Sequence, residues 1–241
     1  MWLLPSNSYG LPSIIMTKFS PEEYDAWYET PLGSLCDRLE KEAIFRLFKP
    51  KGRVLDAGCG TGNYTMELVK QGVQVVGMDS SVDMTLLAKR KSEKKGFKVN
   101  FVVGKGEAMP FRDNVFSGVL GITVLCFVSN PELVIAEVKR ILKLGGEFTL
   151  GELNSLSYWA LLRKIKALFK ASVYRQAIFF SIKGLKETLQ RAGFKDLRWS
   201  SCLYFPPVNV KWLLNMYKFF EAGGKKFFSK NGVFIAITGT K

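Results

Sequence analysis

The segment Val54-Leu-Asp-Ala-Gly-Cys-Gly-Thr-Gly-Asn63 constrains the fold more than any other part of the chain. Arg53 to Ala57 reads as a short buried strand, three glycines follow within five residues, and a helical pattern begins at Asn63. Gly58 and Gly60 let the backbone approach a ligand closely, and the start of the next helix offers free N–H groups to it. The spacing is not that of a G-x-G-x-x-G dinucleotide turn. The third glycine of such a turn would stand at Asn63, and Gly62 comes one residue early.

From this turn onward, strand-like and helix-like segments alternate. Strands are expected at about Gln74 to Asp79, Val99 to Lys105, Phe116 to Cys126 and Glu147 to Leu153, with helices at about Asn63 to Gln71, Val82 to Lys95 and Glu132 to Leu142. Such alternation implies right-handed βαβ units and a doubly wound α/β sheet, mostly parallel and covered by helices on both faces. A helix at about Ile182 to Ala192 is followed by two strand-like runs, Phe194 to Phe205 and Gly232 to Thr240, which read as a closing pair and bring the strands to seven. Ahead of Lys49-Pro-Lys-Gly52, one helical pattern covers about Pro21 to Phe48. Residues 1–50 are therefore expected to form an N-terminal arm with lid helices, and residues 51–241 the main domain. Asn154 to Ser181 is long for a connection and reads as an inserted helical lid.

At 47% apolar and 23% charged residues, 241 residues can bury a sizeable core. Cys36, Cys59, Cys126 and Cys202 are scattered without a C-x-x-C pair, which suggests neither a disulfide framework nor a zinc site and points to a reducing cytoplasm. No secretory signal pattern opens the chain, and residues 1–15 read as an extension ahead of Met16. The absence of histidine removes the commonest general base and the commonest metal ligand, and no metal site is expected. The net charge of +14 is concentrated in the last third, from Tyr158 onward.

Four motifs, in order and spacing, carry a resemblance. Leu55-Asp-Ala-Gly-Cys-Gly-Thr-Gly62, Asp79-Ser-Ser-Val-Asp-Met84, Gly106-Glu-Ala-Met-Pro-Phe111 and Glu137-Val-Lys-Arg-Ile-Leu-Lys-Leu-Gly-Gly146 are similar to the motif set of class I S-adenosylmethionine-dependent methyltransferases, with a Rossmann-like fold. Within that family the set resembles the quinone-biosynthesis and lipid methyltransferases. The resemblance implies S-adenosylmethionine as cofactor and S-adenosylhomocysteine as product. It places the backbone of Gly58, Cys59 and Gly60, with Thr61, against the methionine part, and Asp56 toward the ammonium. Asp79, with Ser80, would hold the ribose, an interaction its position after the second strand also allows. The alternative for Asp79 is an N-cap at the next turn, which can coexist with that role. Met84 would lie on the adenine face, Lys105, Gly106 and Glu107 at its edge, and the Ile122 backbone toward the methionine amine. Lys105 stands where the family often has Asp or Asn. An ammonium cannot accept a hydrogen bond from the adenine amine, so backbone groups are expected to do so while Lys105 points away.

A sulfonium methyl is already activated, so positioning and exclusion of water are the main tasks. The acceptor is expected beyond the carboxyl ends of the strands, near Phe127 and Glu152, with Tyr24 and Tyr28 among its contacts. Tyr24, Trp27 and Tyr28 read either as an aromatic wall over the cofactor or, equally, as one packed helix face; no catalytic residue is singled out, and Glu152 is one candidate base. Tyr158, Leu161, Leu162, Ile165, Leu168 and Phe169 share a helix face, with Arg163, Lys164, Lys166 and Lys170 away from it. Such a basic amphipathic helix either packs on the core as a lid or touches an anionic membrane surface. The first expectation is a methyltransferase for a small or lipophilic acceptor. An RNA methyltransferase and a non-catalytic S-adenosylmethionine-binding regulator are the alternatives, the former motivated by the basic last third.

Overall fold

The computed structural model describes residues 20–162 and 178–241. Residues 1–19, and with them the choice between Met1 and Met16, lie outside the described residues, as do Arg163, Lys164, Ile165, Lys166, Leu168, Phe169 and Lys170 of the expected lid.

The helical pattern expected over about Pro21 to Phe48 divides into two helices, α1 (Pro21–Glu29) and α2 (Pro31–Leu47). Proline at 31 disfavours helical backbone at Thr30, which is extended, and the Thr30 hydroxyl instead accepts from Gly33 N–H to cap α2. Ser20 and Glu23 form a capping box on α1. Leu32, Leu35, Cys36, Leu39, Ala43, Ile44 and Leu47 repeat at helical spacing along α2 and are buried, so α2 belongs to the core beside the sheet rather than to a lid.

The remaining elements are β1 (Arg53–Ala57), α3 (Asn63–Lys70), β2 (Gln74–Asp79), α4 (Val82–Lys94), β3 (Asn100–Val103), β4 (Phe116–Ile122), α5 (Pro131–Ile141), β5 (Leu142–Leu153), α6 (Ile182–Arg191), β6 (Lys195–Cys202), α7 (Lys211–Asn215), α8 (Tyr217–Phe227) and β7 (Phe234–Thr240). Seven strands form one sheet in the order β3-β2-β1-β4-β5-β7-β6. All pairs are parallel except those of β7, which runs antiparallel to both β5 and β6. The expected closing pair is present, with β7 wedged inside it.

Strand alternation divides the core between the two faces of the sheet. Val54, Val75, Leu120 and Ala236 pack with α2 and α3 on one side, and Leu55, Val76, Val119, Ile235 and Ile237 with α5 and α6 on the other. Two expectations about β4 and β5 need correction. Strand β4 stops at Ile122, not Cys126, because Thr123 adopts φ 53° and turns the chain into a 3-10 turn at Leu125–Phe127. Strand β5 begins at Leu142, pairing Phe116 with Leu142 before a register shift.

Candidate functional site

The sharp turn after β1 forms the floor of the site. Gly58 and Cys59 N–H both donate to Met78 C=O, at 2.7 and 2.9 Å, so the turn is stitched to the end of β2. Gly58 has φ 71°, and a Cβ there would stand 2.4 Å from Val124 Cγ2. Only glycine fits, because both the backbone region and the space exclude a side chain. Gly60 has φ 52°, and its N–H donates to Asp79 Oδ2 at 2.8 Å. Asp79 Oδ1 accepts from Ser81 N–H at 2.9 Å, and Ser81, not Asp79, caps α4. Each Asp79 oxygen thus takes one backbone donor and keeps acceptor capacity for a second. Burial raises the Asp79 carboxyl above the usual carboxylate range, against the opposing effect of these N–H groups.

Around this turn lies a cleft of about 330 Å³ at the carboxyl ends of β1, β2 and β4. The structure brings into it Gly58, Gly60, Asp79, Ser80 and Met84, and on the next rim Lys105, Gly106 and Glu107. Ile122 and Phe127 line it from the β4 side, and Tyr24 from α1. Lys105 is exposed at the rim.

Five of the expected residues do not line the cleft. Asp56 is buried beneath the turn, where it accepts from the Thr65 hydroxyl at 2.5 Å, and burial pushes its carboxyl up to about 7. Cys59 is buried, as is Thr61, whose hydroxyl donates to Asp25 Oδ1 at 2.5 Å. Tyr28 stands behind Tyr24, with the two hydroxyls 2.8 Å apart and the rings edge to face. Glu152 is fully buried under the 3-10 turn, and its Oε1 accepts from Leu125 N–H at 2.8 Å. Burial lifts its carboxyl from 4.5 to about 8, and Oε2 has no hydrogen-bond partner among the described residues.

Two features had gone unread. Thr123 lines the cleft in a left-handed conformation costly for a β-branched residue, held by a hydrogen bond from its N–H to Gly151 C=O at 2.6 Å. Sequence offers no signal for it, because glycine is the residue expected at such a φ. The other is a clamp. Lys91 of α4 donates to Asp25 Oδ2 at 2.5 Å, to Asn63 Oδ1 at 3.0 Å and to Thr61 Oγ1 at 3.2 Å. It ties α1, and so Tyr24, to the glycine turn.

A methyltransferase-domain family model matches residues 55–150. Over 183 residues the chain is 35% identical to an uncharacterized protein of Methanocaldococcus jannaschii, covering 76% of this chain and 82% of that one. It is 34% identical to an uncharacterized Mycobacterium tuberculosis protein, covering 76% of this chain but 61% of that protein's length. A demethylmenaquinone methyltransferase of Symbiobacterium thermophilum is 27% identical over 192 residues, 73% of this chain and 76% of that one. Among solved structures, a Thermotoga maritima S-adenosylmethionine-dependent methyltransferase, described as a possible histamine N-methyltransferase, superposes with a TM-score of 0.72 at 26% identity, covering 94% of this chain and 98% of that one. The chain belongs to the class I S-adenosylmethionine-dependent methyltransferases. It is an enzyme of that kind, with S-adenosylmethionine as its cofactor.

Proposed function

We propose that this methyltransferase acts on a small, lipophilic acceptor. The observation that carries this is the composition of the cleft on the β4 side. Beyond Gly58 it is walled mostly by apolar side chains, Ile122, Val124, Phe127 and Val128, with Thr123 and Ser129 as its polar members and the Tyr24 ring above Gly60. Strand order puts this wall across β1 from Asp79, which leaves the polar half of the cleft to the cofactor and an apolar half to the acceptor.

In this proposal the backbone of Gly58 and Gly60 receives the methionine part, Asp79 with Ser80 the ribose hydroxyls, Met84 the adenine face, and Gly106 and Glu107 its edge. The glycine turn supports this fit, since a side chain at Gly58 would fill the cradle. When bound, the cofactor supplies a sulfonium methyl that needs alignment more than activation. Tyr24 and Phe127 exclude water from the transfer. Asp56 and Thr61 act from behind, Asp56 by bracing α3 through Thr65 and Thr61 through the Asp25 clamp. Glu152 sets the 3-10 turn that presents Phe127. Fully buried and outside the lining of the cleft, it is a positioning group rather than a base.

The Symbiobacterium relative named above, a demethylmenaquinone methyltransferase by name, supports an acceptor of this class. The test is to incubate the enzyme with methyl-labelled S-adenosylmethionine and cell extracts divided into lipid, small polar and RNA pools. Label is expected in the lipid pool. Label confined to RNA or to the polar pool would overturn the proposal.

A further inference from the structure

Helix α8 carries an apolar stripe that the core does not use. Its inward side is defined by Glu221, which accepts from Tyr204 N–H at 2.8 Å, and by Gly224, where a Cβ would stand 2.1 Å from the Tyr204 ring. At about 100° per residue, Phe219, Gly223 and Phe227 fall on another flank. Phe219 is 72% and Phe227 70% exposed, and Phe228, just past the helix, is 63% exposed. These three border one groove of about 730 Å³ with Leu156, Tyr158 and Leu161, each more than half exposed.

The last two were expected to share a helix face, and both are exposed. Over the described turn, residues 158–162, it is Trp159 and Ala160 that are buried, with the Trp159 indole N–H donating to Phe205 C=O at 2.7 Å. Among the described residues, Tyr158 and Leu161 are thus not packed into the core. Scattered exposed apolar residues are ordinary, but six around one groove form a patch that calls for an occupant.

The segment that carries these phenylalanines is strongly basic. Between Phe205 and Val233 the chain carries Lys211, Lys218, Lys225, Lys226 and Lys230, all exposed, and a single carboxylate, Glu221, which is buried and lies 3.6 Å from the Lys225 ammonium. We propose that this face docks on an anionic bilayer surface. Phe219, Phe227 and Phe228 enter the boundary between headgroups and acyl chains, and the lysines meet the lipid phosphates. Lysine favours this occupant over a protein partner. Protein interface cores are depleted in lysine, whereas its long apolar stem suits a membrane surface, where the ammonium snorkels to the headgroups. No helix among the described residues is long and apolar enough to cross a membrane. The proposal does not depend on which acceptor is methylated.

Flotation of the full chain with vesicles tests it, using phosphatidylcholine alone and phosphatidylcholine mixed with phosphatidylglycerol, at low and high salt. The wild type is expected to float with the anionic vesicles and to be released by salt. Replacing Phe219, Phe227 and Phe228 together with Ser should cut the bound fraction by about tenfold. Replacing Lys218, Lys225, Lys226 and Lys230 with Gln should weaken binding and flatten its salt dependence. Unchanged S-adenosylmethionine affinity in both variants will show that the fold is intact. If the Phe variant loses it, the Lys variant decides by the same flotation. The proposal is overturned if the wild type fails to float, if it floats equally well with neutral vesicles, or if the folded variants float like the wild type. Self-association abolished by the Phe substitutions, without vesicle binding, would assign the face to a second copy and overturn it too.

Discussion

Breaking the clamp between α1 and α4 should loosen cofactor binding without unfolding the protein. Asp25 and Lys91 meet at 2.5 Å with side chains 25% and 23% exposed, which puts the pair between an open surface ion pair and a sealed one. Exposed pairs contribute up to about 1 kcal/mol and hydrogen bonds to charged groups about 1.5–3 kcal/mol. An intermediate value of about 1–2 kcal/mol follows for the anchoring of Tyr24 over the cleft. Trp27, buried on the same helix, keeps α1 attached when the clamp is gone, so stability should fall little. Asp25→Ala and Lys91→Met are each expected to raise the Kd for S-adenosylmethionine by about five- to thirtyfold, every 1.4 kcal/mol being about tenfold. Isothermal calorimetry on both variants and on the double variant gives the coupling. The double variant should bind no worse than the weaker single one. Full additivity, or wild-type affinity in all three folded variants, would refute the clamp's role.

Asp79→Ala should weaken S-adenosylmethionine by about 1.5–3 kcal/mol through loss of hydrogen bonds to a charged acceptor; unchanged affinity in the folded variant would remove the ribose assignment. Glu152 titrates near about 8 in the folded protein and near 4.5 unfolded, so the folded state retains a proton that the unfolded chain has lost. Stability tied to Glu152 is therefore full below about 4.5 and lost as pH rises through about 8. Melting temperature should fall over that window, and Glu152→Gln should reduce the slope, leaving the part due to Asp56, near about 7; identical slopes in wild type and variant would contradict the assignment. Activity should survive a chelator, since the chain has no histidine and the described residues hold no cluster of three potential ligands. Loss of the rate with EDTA, restored by one divalent metal, would reveal a missed site.

What the sequence disclosed follows from burial and spacing. Strands β1 and β2 lie where expected, at Arg53–Ala57 and Gln74–Asp79, because strands buried on both faces are short apolar runs bounded by turn residues. Gly58, Gly60, Asp79 and Met84 meet in one cleft because the βα turns that hold them sit at the same end of the parallel strands. The clamp was illegible. Asp25 and Lys91 are far apart in sequence, and each alone reads as a solvated charge on a helix. The turn of Asp56 toward Thr65, below the cleft, is likewise a tertiary choice. Helices α7 and α8 were missed for a different reason. Phe219 and Phe227 point outward, and Gly223 and Gly224 interrupt the segment, so the period that marks a core-packed helix is broken.

The place of β7 in the sheet imposes an order in time. It is made after β6 yet lies between β5 and β6, so until Phe234–Thr240 has left the ribosome, the outer edge of β5 stays unpaired and β6 has no neighbour to join. At about 5–20 residues per second, the stretch from Leu153 to Phe234 keeps that apolar edge open for seconds. During synthesis the nascent chain is thus a template for strand addition by other chains, and its yield in a crowded cell will depend on how well chaperones shield β5 in that interval.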